Sequence, residues 1–496
     1  MDKTMMSRRD ALATAMIGGT AIMAPVSAVA QAHGSSAAEP TAPIVPVMPE
    51  ISRYIAEAQT APVPEPVREL ARLHILDNFA SIVACRDLEA SKLGRAYAAA
   101  HGSGNVPIFN TRERSGLVDA VFATAMAGHA AEINDFIPSA LVQPGASVVP
   151  TAMLLGQARK RSGKRVMNAV IAGYELCGRI PKTLGTSNLA KAGLANHGVG
   201  PVFGTAAAAA SLIGMDASAV RHVLSYCAQQ ASGSWQWLLD VRHVEKAFVF
   251  AAMGARNGLQ AALMVETGFT GLDNCLDAEG SWLRSPAFTG GDANPGYLVE
   301  GLGTRFELLL AAYKRYPTGG PTQPSMQALL SMREKVKPEE VESIRIEMPG
   351  RWDAFKSANM PALNLPYLAS LIMLDGKLDF VSAQSLDRMH NDAAIRAFSQ
   401  KVDVVHDKAQ EAAKGEPRNT SARVIINRPG KPPLTEFVPY VRGFPEHPMS
   451  RADVEAKAHE LIDPVLGAKV TKELIQRTQG LDDEPNVDAL VALVTR

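Results

Sequence analysis

The sequence feature that most constrains this chain is a stretch of small residues headed by a histidine. It reads Asn-His-Gly-Val-Gly from residue 196, continues through Phe203-Gly204-Thr205, and then runs into five consecutive alanines. Because small side chains let neighbouring helices approach closely, the stretch predicts a helix inside a tightly packed helical body. His197 stands where this helix would begin, and a histidine in such a position can take part in proton transfer.

Bulk composition narrows the class of protein. A chain of 496 residues is long enough for more than one domain. Its 50 lysines and arginines are balanced by 50 aspartates and glutamates, so no overall field favours nucleic acid, and we expect none as a partner. The cysteines are far apart and form no CxxC or CxxH pair, so we expect no metal and no cofactor. They are Cys85, Cys177, Cys227 and Cys275.

The amino terminus reads as a targeting segment. Arg8 and Arg9 precede an apolar run at 11–24, and small residues suited to a signal peptidase follow at 28–32. This pattern predicts a twin-arginine signal peptide over residues 1–32 and a periplasmic or secreted protein. The run is short and rich in Gly, Ala and Thr, so we expect no stable membrane insertion after cleavage. Residues 33–50, rich in Pro, Ala and Ser, are predicted to be a linker.

Helical periodicity dominates the next part of the chain. Apolar residues in 67–83 lie one or two turns apart, and segments 117–131, 166–180 and 220–231 behave similarly. Asp216 is placed to cap the last of these helices. The pattern predicts an all-helical domain over residues 51–310.

The pattern changes after the Pro- and Gly-rich segment 316–321. A helix at 325–336 is followed by alternating, strand-like segments that end in a Pro-Gly turn at 429–432. The predicted strands are 341–348, 402–405, 422–426 and 434–438. Helical patterning resumes at Ser450. The predicted fold is therefore mainly α, with a large all-helical domain, a smaller inserted α+β lid domain at 311–441, and C-terminal helices at 442–496 that return to the first domain.

Several short blocks, in order and spacing, identify a resemblance over the chain from about Ile51 onward. Besides the stretch at His197, they are Ala255-Arg256-Asn257-Gly258 with Gly268-Phe269-Thr270-Gly271, Lys314-Arg315-Tyr316-Pro317, Leu365-Pro366-Tyr367 with Leu374-Asp375-Gly376, and Arg442-Gly443. The chain resembles the MmgE/PrpD family, known for 2-methylcitrate dehydratases and cis-aconitate decarboxylases. The resemblance implies a helical domain with an α+β lid, and a homodimer.

The resemblance also assigns catalytic candidates. His197 matches the family's active-site histidine, and a histidine near a helix N-terminus loses affinity for a proton, which keeps it neutral and able to act as a base. Tyr367 matches the family tyrosine, and a phenol can donate a proton to a developing oxyanion. The alternatives are a histidine packed between helices and a tyrosine that closes the lid against the core.

Cationic side chains supply the substrate-binding candidates. Lys246 matches the family's lysine, but counting back from Gly258 it stands one residue early, so either a local bulge absorbs the offset or the role has moved. His243 is a second candidate there; the alternative is an exposed charged turn. Lys314 and Arg315 precede the expected domain junction, where adjacent cations suit a substrate with several carboxylates. The alternative is that they are surface cations at a helix end.

One block departs from the family pattern. Glu132 and Asp135 keep carboxylates that would orient or assist the base, but Phe136 stands where the family has threonine. Gln143 and Gln323 stand where it has histidines. A glutamine can hydrogen-bond a substrate carboxylate but cannot shuttle a proton. We therefore expect a reaction other than the family's standard decarboxylation or methylcitrate dehydration, and a binder that has lost catalysis also fits.

The first hypothesis is a cofactor-free, dehydratase-like lyase. It would remove a proton alpha to a carboxylate of a small polycarboxylate and expel a group from the neighbouring carbon. An isomerase or epimerase would use the same proton abstraction without a leaving group, and a decarboxylase would act on a related polycarboxylate. From a different class, an exported polycarboxylate-binding protein would keep the cationic pocket without turnover.

Overall fold

The computed structural model describes residues 46–291, 293–413 and 419–495. The predicted signal peptide at 1–32 and residues 33–45 of the predicted linker lie outside the described residues. The first helix begins at Met48, three residues before the predicted start of the helical domain.

Helices make up most of the first part of the described chain. In order they are α1 (Met48–Glu57), α2 (Glu65–Ala84), α3 (Glu89–His101), α4 (Leu117–Gly128), α5 (Pro144–Ala158), α6 (Gly163–Leu184), α7 (Thr186–Lys191), α8 (Asn196–Ile213), α9 (Ala217–Gln230), α10 (Val244–Ala247), α11 (Met253–Glu266), α12 (Pro286–Thr289) and α13 (Pro295–Val299). Asp216 caps α9 as predicted, because its carboxylate accepts a hydrogen bond from the backbone N–H of Ala219 at 2.8 Å.

Helix α8 lies in the interior, as its small side chains predict. A Cβ added to Gly204 would lie 2.5 Å from the carbonyl oxygen of Gly173 on α6, so only glycine allows this approach. Gly258 of α11 is likewise pressed against the backbone of Val202. These two contacts bring α6 and α11 against α8 at backbone distance, and they fix the position of the residues at its N-terminus.

The segment Val244–Glu266 is a long helical run with an irregularity near its start. Between α10 and α11, residues Phe248–Ala252 form a π-helical turn. By length and composition the run could cross a membrane, and 67% of its most apolar window is buried inside the protein. Core helices of folded domains have the same character.

The second part of the chain forms a small α+β body. Its sheet has the order β4 (Val402–His406), β3 (Ser343–Met348), β5 (Ala422–Arg428) and β6 (Lys431–Val438). Strand β3 is parallel to β4 and antiparallel to β5, and β5 is antiparallel to β6. Alternate residues of β3 (Ile344, Ile346 and Met348) face a core of its own. The helices of this body are α14 (Gln323–Arg333), α15 (Trp352–Lys356), α16 (Leu365–Asp375), α17 (Phe380–Ala383), α18 (Leu386–Asn391) and α19 (Ala393–Ser399).

The last three helices, α20 (Arg451–Leu466), α21 (Ala468–Gln479) and α22 (Asp488–Leu493), pack into the core of the first part. The most buried link is Lys457 of α20, whose ammonium donates to Asp77 of α2 at 2.6 Å and to the carbonyl oxygen of Ile133 at 2.7 Å. The predicted fold class, mainly α with an α+β lid, is confirmed.

Two details differ from the predicted all-helical domain. Strands β1 (Val106–Pro107) and β2 (Arg114–Ser115) pair as a short antiparallel ribbon. Residues 267–310 contain only short helices, because glycines with positive φ, including Gly268, Gly280 and Gly290, interrupt the chain there.

We predict that Lys457→Met destabilises the protein by about 3–5 kcal/mol, because it leaves the buried carboxylate of Asp77 without its counterion. Burial already raises the pKa of Asp77, so the carboxylate depends on this ammonium. Denaturant unfolding of the variant measures the change.

The matched control is Lys160→Met, which breaks an exposed ion pair with Asp488. It should cost less than about 1 kcal/mol. Equal losses in the two variants would contradict the assignment of Lys457 as a buried anchor.

Candidate functional site

A cavity of about 840 Å³ opens where the two parts of the chain meet. Its walls come from the loop 129–143, α7 and the residues after it to the start of α8, the segment 235–250, the segment 314–321, lid residues 351–363 and Thr420. Five of the ten predicted site residues line it: Glu132, Gln143, His197, Lys246 and Lys314. The other five do not.

His197 is held between aromatic rings and an amide. Its imidazole stacks on Phe250 with ring centres 3.9 Å apart, and the edges of Trp235 and Trp237 lie against it at 5.6 and 5.4 Å. Its Nδ1 lies 3.0 Å from Oε1 of Gln143. An amide oxygen only accepts, so Nδ1 carries the proton and the lone pair remains on Nε2. The geometry therefore presents a neutral imidazole with a free basic nitrogen.

Burial sets the charge of this histidine. Desolvation, followed by the positive charge of Lys246, lowers the pKa of His197 to about 3. The carboxylate of Glu132 opposes the change but does not overcome it. His197 is therefore neutral at physiological pH, as the sequence predicts, although burial is the largest cause.

The floor of the cavity holds one carboxylate between two ammonium groups. Lys246 bonds to one oxygen of Glu132, and Lys314 lies 3.2 Å from the other. All three side chains are buried. Burial opposes ionisation of Glu132, but the two lysines outweigh it and hold its pKa well below the usual range. Burial lowers the pKa of Lys246, against the pull of Glu132.

A π-helical turn follows Lys246, the residue that stands one position early in the sequence. A π turn contains one residue more than an α turn, and this turn stands between Lys246 and Gly258. A local bulge is therefore present, and the family role of Lys246 stays a prediction. The ammonium reaches Glu132, and it lies 4.8 Å from the ring centre of Trp237 and 5.0 Å from that of Phe250.

Asp135 does not line the cavity, and it anchors the loop 129–143 to neighbouring helices. Its carboxylate accepts hydrogen bonds from Tyr174 at 2.5 Å and Asn78 at 3.0 Å, and it lies 2.9 Å from His74. Burial disfavours its charge, but these contacts hold its pKa below the usual range. Two backbone hydrogen bonds between Phe136 and Ala312 join the same loop to the segment that carries Lys314.

The structure does not bring Tyr367 or Arg315 to the cavity. The hydroxyl of Tyr367 donates to the carbonyl oxygen of Ser382 at 2.6 Å inside the lid core, and burial raises its pKa. Arg315 is exposed and pairs with Glu460 at 3.1 Å. Tyr367 therefore bonds within the lid itself, and Arg315 is a surface cation in an ion pair instead of at a helix end.

His243 and Gln323 are buried beside the site without lining it. His243 caps α10 in a left-handed conformation, with its Nε2 3.9 Å from Glu132. Gln323 uses its amide to accept from the backbone N–H of Tyr316 and to donate to the carbonyls of Tyr316 and Thr318. Its amide therefore closes a turn at the start of α14.

The structure also brings together three residues of types that can ligate a metal ion. Donor atoms of His129, Glu132 and His243 lie within 4.8 Å of one another. Both oxygens of Glu132 already contact ammonium groups, from Lys246 and Lys314. A divalent cation here would have to displace these charges, so the donor set fits an internal ammonium better than a metal.

Sequence reasoning missed the aromatic half of the site and the cation on its lid. Phe250 packs between His197 and His129, Trp237 contacts Phe250, and Trp235 contacts His197. One sequence feature could have indicated the aromatic wall: two of the four tryptophans of the chain, Trp235 and Trp237, stand two positions apart. Arg351, exposed on the lid, also lines the cavity, and nothing in its sequence context distinguishes it.

The fold and site define a helical protein with an α+β lid over a buried, lysine-rich histidine site. The MmgE/PrpD N-terminal domain matches residues 49–293, and the MmgE/PrpD C-terminal domain matches residues 316–482. The chain belongs to the MmgE/PrpD family.

Two relatives with similar sequences have low sequence identity to this chain. A cis-aconitate decarboxylase-like protein, oryM, of Aspergillus oryzae is 20% identical over 90% of this chain and 97% of its own length. A cis-aconitate decarboxylase of Aspergillus terreus is 27% identical over 58% of this chain and 60% of its own length.

We predict that His197 keeps a neutral, Nδ1-protonated ring from pH 8 to pH 5, because its pKa is about 3. The unfolded chain holds an ordinary histidine pKa of about 6.5. Below about pH 6.5 the unfolded chain takes up a proton at His197 that the folded protein does not. The free energy of unfolding therefore falls as the pH drops from about 6.5 toward about 3. Histidine-labelled NMR, with the signal assigned by comparison with His197→Gln, reports both tautomer and charge.

The matched control is Gln143→Met, which removes the acceptor but keeps the side-chain length. Without this acceptor, the neutral ring of His197 should no longer favour the tautomer with the proton on Nδ1. A titration midpoint of His197 between pH 6 and 7 in the unaltered protein would contradict the lowered pKa of this buried histidine.

Proposed function

We propose that this protein is a dehydratase-like lyase that acts on a small polycarboxylate by proton abstraction alpha to a carboxylate. One observation carries the proposal: a neutral, tautomer-defined histidine lies in the same cavity as two buried ammonium groups. A carbon acid beside a carboxylate needs both, a base for the proton and positive charge for the enolate that forms.

The charge of the cavity floor favours an anion. Among the described residues, the buried ionisable groups that line the cavity are two cations, Lys246 and Lys314, one anion, Glu132, and the neutral His197. A substrate carboxylate supplies the missing negative charge at low desolvation cost, because the ammonium groups are already removed from water. Arg351 on the lid offers a bidentate site for another carboxylate, which supports a substrate with more than one.

The proposed step balances with the chain's own groups. The Cα–H bond breaks, its proton moves to Nε2 of His197, and the electron pair enters the carboxylate-stabilised enolate held by Lys246 and Lys314. The enolate then expels hydroxide from the β-carbon as the double bond forms. Transfer of the proton from His197 to that hydroxide yields water and an unsaturated polycarboxylate, and the protein returns to its starting charge.

Substrate binding strengthens the base. In the free protein the charge of Lys246 helps to hold the pKa of His197 low. An anion bound at the lysines cancels part of that charge, so the affinity of His197 for a proton rises when substrate is present. The coupling matters here because Gln143, which contacts His197, cannot take up a proton itself.

We predict that the purified protein exchanges the α-hydrogens of citrate, malate or a related polycarboxylate in deuterated water, with net loss of water. NMR follows both. His197→Gln should lower the rate by at least about 10²-fold. Lys314→Met should weaken binding, since it removes half of the ammonium pair.

The matched control is His459→Gln, at a half-buried histidine on α20 that does not line the cavity, which should leave the rate unchanged. Exchange without water loss would assign an isomerase, and release of carbon dioxide a decarboxylase. Binding without exchange, insensitive to His197→Gln, would make the protein a binder and sink the enzyme proposal.

We also propose export by the twin-arginine route, supported by the pattern in residues 1–32. Replacing Arg8 and Arg9 by lysine should retain the protein in the cytoplasm, as measured by cell fractionation. Unchanged export would contradict this. The homodimer implied by the resemblance stays a prediction.

A further inference from the structure

One aromatic ring of the cavity wall, that of Phe250, is enclosed between two histidines. The imidazole of His197 is nearly parallel to it, at 9° with ring centres 3.9 Å apart, and that of His129 lies at 11° and 4.6 Å. Because two stacked rings cannot share one face, the histidines take opposite faces of Phe250. The phenylalanine is buried, and it lines the cavity beside His197.

Phe250 belongs to the π turn at Phe248–Ala252, which carries a second phenylalanine in a different setting. Phe248 contacts the ring of Phe122 at 6.3 Å and the guanidinium of Arg256 at 5.9 Å, and it does not line the cavity. The two phenylalanines therefore share a turn, but only Phe250 reaches the site. Its buried apolar neighbours form a small cluster separate from the two larger cores: Ala195, Trp237, Val249 and Met253.

Two contacts fix the direction of the base. The parallel ring of Phe250, at 3.9 Å, blocks the imidazole of His197 from tilting toward it and so fixes the plane of the imidazole. The hydrogen bond from Nδ1 to Gln143 fixes the rotation of the imidazole within that plane. The lone pair of Nε2 lies in the ring plane, so the two contacts together set the direction from which the base accepts a proton.

The same stack changes in energy when the base is protonated. The imidazolium of His197 places a positive charge over the aromatic face, well within the ~6 Å at which a cation attracts such a ring. This attraction is present only after proton transfer begins, so it favours the transition state over the bound substrate. His129, on the opposite face, does not compete as a cation, because burial holds its pKa well below the usual value.

We propose that Phe250 is a positioning residue of the reaction: its ring aims the lone pair of His197 and stabilises the imidazolium that forms. This inference rests on the proposed function, because it concerns the base of the same step. The ring exchanges no atoms. The Cα–H bond breaks and its proton moves to Nε2 of His197, and Phe250 contributes only packing and electrostatic attraction.

Fluorinated phenylalanines at position 250 test the electrostatic part. Each ring fluorine withdraws electron density from the aromatic face and weakens its attraction for a cation, while the shape of the side chain changes little. Turnover is followed by NMR with citrate or malate, whichever reacts faster. We expect kcat to fall stepwise with one, two and three fluorines, by about 2- to 30-fold over the series, with KM changing less than kcat.

The matched control is the same fluorine series at Phe248, in the same π turn but away from the cavity. It should leave kcat unchanged. A purely structural role of Phe250 would give the same flat result at position 250, because the fluorinated rings keep its packing.

Phe250→Leu tests the orienting part, since it keeps an apolar side chain and removes the ring. In the unaltered protein, the ring protons of His197 should show the upfield NMR shift of nuclei above an aromatic face. Phe250→Leu should abolish this shift and lower kcat by more than the full fluorine series does. Thermal unfolding reports whether the variant is folded, and the fluorine series decides the outcome if it is not.

The outcomes separate this inference from the proposed function. Turnover with equal kcat along the series at Phe250 would overturn the inference and leave the proposed function standing. An equal fall in the series at Phe248, or a change in KM alone, would also overturn the inference. No turnover of any polycarboxylate by the unaltered protein would overturn both.

Discussion

The site depends on one buried carboxylate shared by two ammonium groups. Glu132 stays ionised without water because Lys246 and Lys314 contact its two oxygens, and each lysine is held in place by that same charge. Removing Glu132 from this arrangement would leave two buried ammonium groups without their counterion, which is strongly destabilising in protein interiors. The excess positive charge then favours an anionic ligand and helps to keep His197 neutral.

Much of the helical body serves to hold the loop that carries Glu132. Lys457 fixes the carbonyl of Ile133 from the C-terminal helices, and Asp135 is tied to the helices behind it. Phe136 joins the loop by backbone hydrogen bonds to the segment with Lys314. The loop is therefore connected to three parts of the chain that are far apart in sequence. Its rigidity is what places Leu141, with φ +54°, and a charged floor in one cavity.

Local patterns predicted what local physics decides. Asp216 caps α9, the four strands of the lid occur where alternation placed them, and the small residues of α8 lie in the interior. The surroundings of Lys246 were harder to predict, because no composition signal marks the π turn that follows it. Tyr367 and Gln323 were assigned to the site by position along the chain. Their polar atoms are instead used inside the lid and a turn.

The sequence by itself determined the helical class, the inserted α+β lid and the histidine at the head of a small-residue helix, because each follows from periodicity and side-chain size. Only the tertiary structure decided which polar groups share the cavity. Side-chain direction and burial depend on contacts between distant segments, and these set the pKa of His197, the pairing of Glu132 and the exclusion of Tyr367. The aromatic and aliphatic walls came from the same source, since residues 136, 141 and 235–239 meet only in the folded chain.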